Sequence, residues 1–428
     1  MSRLSQSIRY HPLVDLLLTI KGNPKVCIVI EPLWGIPFNL IAPFTTLYMY
    51  AMGVTDIQIG IILSLAMVVQ VAFSFFGGIV ADKLGRKFTT MIGDFLGWSV
   101  PCLIWAVSQN FWFFLAAVLL NSFEQVNQTA WNCLLIEDAN EKDILNIYTW
   151  ITIAGLLAVF FAPISGILVG RFSLVPVVRI LYLTFSITML CKCIITYRFT
   201  TETTQGRVRR EQTKNISVLK MVAEYKELIP LIFRNRATVQ TLAIMVIIYI
   251  TNMVNTNFFG LYINKSLEIS ERYLAFFPIL RAVVMLLFMF AIQHRLQQIS
   301  IKIPMQAGLV LYMLCQALLV FSPKGRLMPI VLFILLEAVA NALVMPRKDS
   351  MLAMNVDPTE RARIVALLTA FMIAFSSPFG YLAGLLSSLD RRLPFAFSAL
   401  LYFAAMLVIY RYRQLQDVFS TDSGSAER

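Results

Sequence analysis

Charge is what this sequence has least of. Only 14% of its 428 residues are Asp, Glu, Lys or Arg, against about 25% in an ordinary soluble domain. Two histidines are present. The six cysteines (Cys27, Cys102, Cys133, Cys191, Cys193 and Cys315) include no C-x-x-C pair. A zinc site or a disulfide framework is therefore not expected, and buried small side chains are. No Walker phosphate loop, nucleophile motif or metal-ligand cluster occurs, so neither an enzyme nor a transport ATPase is indicated, and no cofactor is expected. What the sequence has is apolar: 58% hydrophobic residues and a mean hydropathy of +0.73. That excludes a soluble, disordered or collagen-like chain and places this one in a membrane. The net charge of +12 then concerns two membrane faces, not a nucleic-acid footprint.

A membrane-spanning helix needs about 20 mostly apolar residues. Twelve such stretches occur, at 26–51, 56–80, 88–108, 111–136, 144–169, 173–196, 238–263, 272–293, 303–322, 327–346, 362–386 and 393–412. They are too long for barrel strands and apolar on every face, so the chain reads as an all-α polytopic membrane protein. Ahead of them, Val14, Leu16, Leu17 and Leu18 form a weak apolar run broken by Asp15 and Lys21. Residues 1–25 are expected to form a cytoplasmic amphipathic segment rather than a cleaved signal.

Lys and Arg fall unevenly in alternate loops, 26 on one side and 7 on the other, with Arg179, Lys192 and Arg281 inside spans. Positive loops stay inside, so both termini are expected in the cytoplasm, in a protein of the cytoplasmic membrane. The longest polar stretch, 198–237, lies midway. It opens with the low-hydrophobicity run Thr200 to Asn215, and a surface helix is expected at 216–233. This cytoplasmic loop separates six spans at 26–197 from six at 238–412, followed by a tail at 413–428. Glu124 in span four and Glu337 in span ten lie 213 residues apart, and Pro163 and Pro378 lie 215 apart. Such offsets suggest duplicated halves.

After span two the chain reads Gly77-Gly78-Ile79-Val80-Ala81-Asp82-Lys83-Leu84-Gly85-Arg86-Lys87. This resembles the G-x-x-x-D-R/K-x-G-R/K-R/K loop of the major facilitator superfamily at every defined position. The resemblance implies twelve helices in two six-helix bundles, a central cavity and alternating access. It also implies a conformational latch built from Gly78, Asp82, Gly85, Arg86 and Lys87 with Glu137 and Asp138. Gly78 would let two helices approach closely, and Gly85 would permit a tight turn. By the resemblance, Asp82 sits at the N-terminal end of span eleven, where the helix dipole favours an anion. Arg86 pairs with Glu137 or Asp138 at the end of span four.

Four acids (Glu31, Asp94, Glu124 and Glu337) and three bases lie well inside spans. Each costs about 2.5–3.5 kcal/mol at bilayer depth unless it faces a cavity or a partner. On span four, Asn121, Glu124, Gln125, Gln128 and Asn132 form one polar stripe. Span ten carries Glu337 and Asn341, span seven Asn252, Asn255 and Thr256, and span one Glu31 and Asn39, with Pro32, Pro37 and Pro43 expected to bend it. In the superfamily, spans one, four, seven and ten line the cavity. Glu31, Asn39, Glu124, Gln125, Gln128, Asn252, Asn255, Arg281, Glu337 and Asn341 are thus the candidate substrate and proton pathway. Arg281 and Glu337 lie at similar depth, roughly 14 Å from the outer surface at about 1.5 Å per residue, and are expected to pair. Lys192 is expected to snorkel to the cytoplasmic surface, and Asp94 to support the loop. Arg179 has no assignment.

Buried carboxylates beside a water path exchange protons near neutral pH. The expected activity is secondary transport of a small molecule, powered by a proton gradient. The drug:proton antiporter branch is the nearest resemblance. Asn121 stands about where that branch has an arginine, and its span-five pattern survives only as Ala162-Pro163-Ile164-Ser165-Gly166-Ile167. Trp34, Phe38 and Phe258 among the carboxylates suit efflux of an amphipathic or cationic compound. A proton-symport importer or facilitator of a polar solute, and a non-transporting receptor-like relative, are the alternatives. The expected partners are the lipid bilayer, a small-molecule substrate and protons, not nucleic acid, with the protein a monomer.

Overall fold

The structure, a computed structural model, describes residues 20–139, 141–217, 229–291, 301–354 and 361–412. Most of the N-terminal segment, the centre of the expected surface helix at 216–233 and the C-terminal tail lie outside the described residues. Within them the chain is all-α, with no strand. Ten helices are long and apolar enough to cross a membrane. They correspond to the expected spans except four and eight. Span four is two shorter helices, Phe111–Asn121 and Glu124–Ile136, and span eight is described as Phe277–Ala291.

Contacts sort the chain into two units, Met1–Met52 with Ala72–Met221, and Gly53–Val71 with Val222–Arg428. The first part of span two thus groups with the second unit.

In the first unit the helices break where proline and polar residues require it. Span one stops at Glu31 ahead of Pro32 and tightens again at Ala42–Phe44 around Pro43, because proline has no N–H for the helical ladder. Span three contains a five-residue π-turn, Phe95–Ser99, followed by Pro101. Pro101 gives nothing back to the Gly97 carbonyl, which instead accepts the Asn121 side-chain amide at 2.6 Å. Asn121 ends the first half of span four, and Glu124 begins the second. The breaks in spans three and four are therefore joined by one hydrogen bond. Gly93 brings the two spans together: a Cβ there would come within 2.5 Å of the Asn127 Cβ. Ser99 and Ser186 exchange hydroxyl-to-carbonyl bonds of 2.9 and 2.8 Å, fastening span three to span six.

Arg179 also finds its place. It donates to the Tyr48 hydroxyl at 3.2 Å and the Ser108 carbonyl at 2.9 Å, and Tyr48 donates to the Trp105 carbonyl at 3.0 Å. It clamps spans six, one and three. Four of the six cysteines are buried as expected; Cys133 is half-buried and Cys191 exposed.

In the second unit, span nine packs against ten and twelve, and span seven against eleven and twelve. Tyr312 and Tyr402 stack with ring centres 4.5 Å apart, within a core that includes Ile244, Ile248, Leu309, Val344 and Ala405. The first part of span two meets span eleven glycine to glycine. A Cβ on Gly60 would lie 2.6 Å from the Gly380 carbonyl and 2.9 Å from the Gly384 Cα. One turn away, Asp56 accepts from Ser387 at 2.7 Å and from Arg391 at 3.1 and 3.2 Å.

Candidate substrate and proton site

The breaks in spans one, three and four place their polar residues around one cavity of about 130 Å³ in the first unit. Its walls carry Glu31, Asp94, Glu124 and Lys192 among the indoles of Trp34, Trp98 and Trp131, with Asn127 and Gln128 beside them. Glu31 stands at the first break in span one and Glu124 opens the second half of span four. Both line this cavity within the first unit, and Gln128 shares it. Trp34 stacks on Phe38 at 4.9 Å and meets Trp98 edge-on at 5.6 Å, so the aromatic wall is held rigidly.

Two expectations change here. Lys192 does not snorkel. Its side chain is 5% exposed, and its ammonium lies 3.3 Å from the Asp94 carboxylate, which is 1% exposed. Asp94 does not serve the loop; it also accepts the Asn127 amide at 2.8 Å. A buried opposite charge within reach outweighs the pull of the membrane surface. Opposite charges on spans three and six were the available signal. Glu31 and Glu124 carry no ion pair among the described residues.

The remaining candidate residues of this unit make hydrogen bonds within it. Asn39 donates to the Gly35 carbonyl at 2.8 Å, and Gln125 accepts from Ser74 at 3.4 Å.

The second unit holds a separate polar cluster. Arg281 and Glu337 pair at 2.5 Å, as their equal depth predicted. Asn255 donates to Glu337 at 3.4 Å, and Gln316 donates to Asn255 at 3.3 Å. Gln316, buried on span nine, was missed because an amide ten residues from the next one on an apolar helix (Gln306) forms no stripe. Asn252 and Asn341 are half-buried nearby in sequence and take no part in this chain of bonds. Phe258 is packed in the core, 1% exposed.

The loop between spans two and three is organised by the linker. Arg86 bonds Asp82 at 2.6 Å and Glu137 at 3.2 Å. Of the two acids offered for Arg86, Glu137 takes it; Asp138 instead accepts the Thr204 backbone N–H at 3.0 Å. The second Asp82 oxygen goes to Arg209 at 3.2 Å. Arg209 lies on the helix Thr204–Thr213, in the run expected only to be polar. Thr203 caps that helix by accepting the Gly206 N–H, as N-cap threonines do. Glu202 accepts the first two N–H groups of span three, Arg86 at 2.8 Å and Lys87 at 3.2 Å. Gly85 turns with φ +90°, and a Cβ there would overlap the Glu202 carboxylate. Gly77 makes a close helix approach, since a Cβ there would lie 3.2 Å from the Gln125 carbonyl.

Glu202 is thus a helix cap delivered from a distant segment. Glu202→Ala is expected to lower stability by about 1–2 kcal/mol, read as a lower melting temperature of the purified protein. An unchanged melting temperature would argue against the cap.

The family model of the Major Facilitator Superfamily matches residues 34–290, and the chain belongs to that superfamily as an integral membrane protein. Among curated relatives, the uncharacterized MFS-type transporter YqjV of Bacillus subtilis is 27% identical over 146 residues, 33% of this chain and 35% of the relative. The multidrug resistance protein MdtG of Citrobacter koseri is 27% identical over 186 residues, 42% of this chain and 44% of the relative. The chain therefore matches under half the length of these relatives. Among solved structures, the nucleoside transporter NupG superposes with a TM-score of 0.70 at 17% identity, covering 92% of this chain and all of that one. A POT family transporter in complex with 5-aminolevulinic acid gives 0.69 at 13%, covering 90% and 94%. These likenesses establish the fold.

Proposed function

We propose that the protein is a secondary active transporter of the cytoplasmic membrane that exports amphipathic cations in exchange for protons by alternating access. The cavity of the first unit carries this reading: three carboxylates face one ammonium, and three indoles complete the wall. A desolvated organic cation gains about 2 kcal/mol over an indole face and finds Glu31 and Glu124 without an ion-pair partner among the described residues. The volume of about 130 Å³ is below the roughly 300–1,000 Å³ of a full ligand pocket, so it suits a charged head group. A carboxylate holding a proton cannot also neutralise a cation, so cargo release and proton uptake are linked at the same atoms. The relatives named multidrug resistance proteins support this direction, and the loop charges support cytoplasmic termini.

The test is counterflow of tetraphenylphosphonium in proteoliposomes under an imposed pH gradient. Glu31→Gln and Glu124→Gln are each expected to reduce proton-driven efflux at least tenfold while the protein stays folded. Retained, equally pH-dependent efflux in both variants would overturn the reading. Cargo moving with the protons would make it an importer.

A further inference from the structure

We propose that Lys192 is the residue that fixes the charge of the cargo. This rests on the cation-exporter reading and goes one step beyond it. In the cavity, Lys192 cancels one of three carboxylates, leaving two more negative than positive charges when all are ionised. That remainder matches one organic monocation together with one proton, or a single dication with no room for the proton. Exchange of a monocation then displaces one proton and exchange of a dication displaces two, and both acids are free to carry protons back once the cargo has left. Lys192 is thus a resident cation, buried on span six at 3.3 Å from Asp94. Its positive charge repels a dication twice as strongly as a monocation, and so biases the cavity toward singly charged cargo.

The geometry supports a role beyond packing. Asp94 also accepts the Asn127 amide at 2.8 Å, on its Oδ1, so the carboxylate keeps a hydrogen bond without the lysine. The Lys192 ammonium also lines the same cavity as Glu31 and Glu124, where its field acts directly on a bound cation. A substrate ammonium approaching those acids meets a like charge, and a second ammonium on the same substrate meets it again.

The two halves of this ion pair therefore have opposite effects on selectivity. Lys192→Met raises the negative excess by one, and Asp94→Asn lowers it by one. The measurement is proton-driven transport of the monocation tetraphenylphosphonium and the dication methyl viologen by the full-length protein in proteoliposomes. Direct binding of both probes to the same preparations accompanies it. Lys192→Met is expected to raise the dication-to-monocation ratio at least tenfold, Asp94→Asn to lower it, and Lys192→Met/Asp94→Asn to return it to the wild-type value. A pair that is only structural moves both single variants in the same direction, and that result, or an unchanged ratio in both, overturns the proposal. If Lys192→Met does not fold, Asp94→Asn and the charge-restored double variant still decide: an unchanged ratio in the first, or a shifted one in the second, overturns it. Wild-type protein that binds neither cation overturns the exporter reading itself and this inference with it. Wild-type monocation exchange without the opposed shifts overturns the inference alone.

Discussion

Arg281→Ala is expected to destabilise the protein by about 3 kcal/mol. Glu337 is 5% exposed and holds Arg281 at 2.5 Å; without the arginine its charge stays buried, with only the Asn255 amide at 3.4 Å to meet it. Stranding one member of a buried pair costs about 3–5 kcal/mol, whereas replacing both by neutral groups of similar size is often close to neutral. Arg281 is itself 35% exposed at the side chain, which puts the effect at the low end. The double variant Arg281→Met/Glu337→Gln is therefore expected to regain most of the loss. Melting of the two variants in the same detergent provides the check. A single variant as stable as wild type would show that Glu337 is already neutral or solvated.

Gly60→Leu is expected to force the first part of span two away from span eleven. Even alanine would put a Cβ 2.6 Å from the Gly380 carbonyl and 2.9 Å from the Gly384 Cα. Both obstacles are backbone, so a side-chain rotation cannot relieve them. Overpacking of this kind costs about 1–3 kcal/mol for an added methyl or two, and leucine adds much more volume. The separation would also pull Asp56 from Ser387 and Arg391, which it now meets at 2.7 and 3.1 Å. Ser387 is 4% exposed. Ser387→Cys, in a background free of the six native cysteines, should react slowly with an impermeant maleimide. With Gly60→Leu added, the rate is expected to rise at least tenfold. An unchanged rate would mean that the glycines do not hold this contact closed.

Much of this was legible from sequence because membrane insertion writes strong signals. Apolar length gave the spans, the glycine-acid-base loop gave the family, and carboxylates at bilayer depth gave Glu31, Glu124 and the Arg281–Glu337 pair. The prolines of span one marked breaks that the structure places at Glu31 and Ala42–Phe44. Other features were silent because they depend on partners far apart in the chain. Lys192 read as a snorkelling lysine until Asp94, 98 residues away, supplied its counter-charge. The π-turn of span three follows from Pro101 only once Asn121 is known to satisfy the Gly97 carbonyl. Glu202 and Arg209 sat in a run that looked merely soluble, and a cap received across 116 residues leaves no local pattern.

That distant cap bears on how the chain is made and how it can be divided. Synthesis proceeds from the N-terminus, so span three leaves the ribosome long before Glu202 does. Its first N–H groups, on Arg86 and Lys87, must wait for span six to be inserted and the linker to follow. The two halves, expressed as separate polypeptides, should therefore depend on where the gene is cut. A break after Phe199 strips the first fragment of Glu202, Thr203 and Arg209, whereas a break after Ser217 leaves the fragment its own cap and its own partner for Asp82.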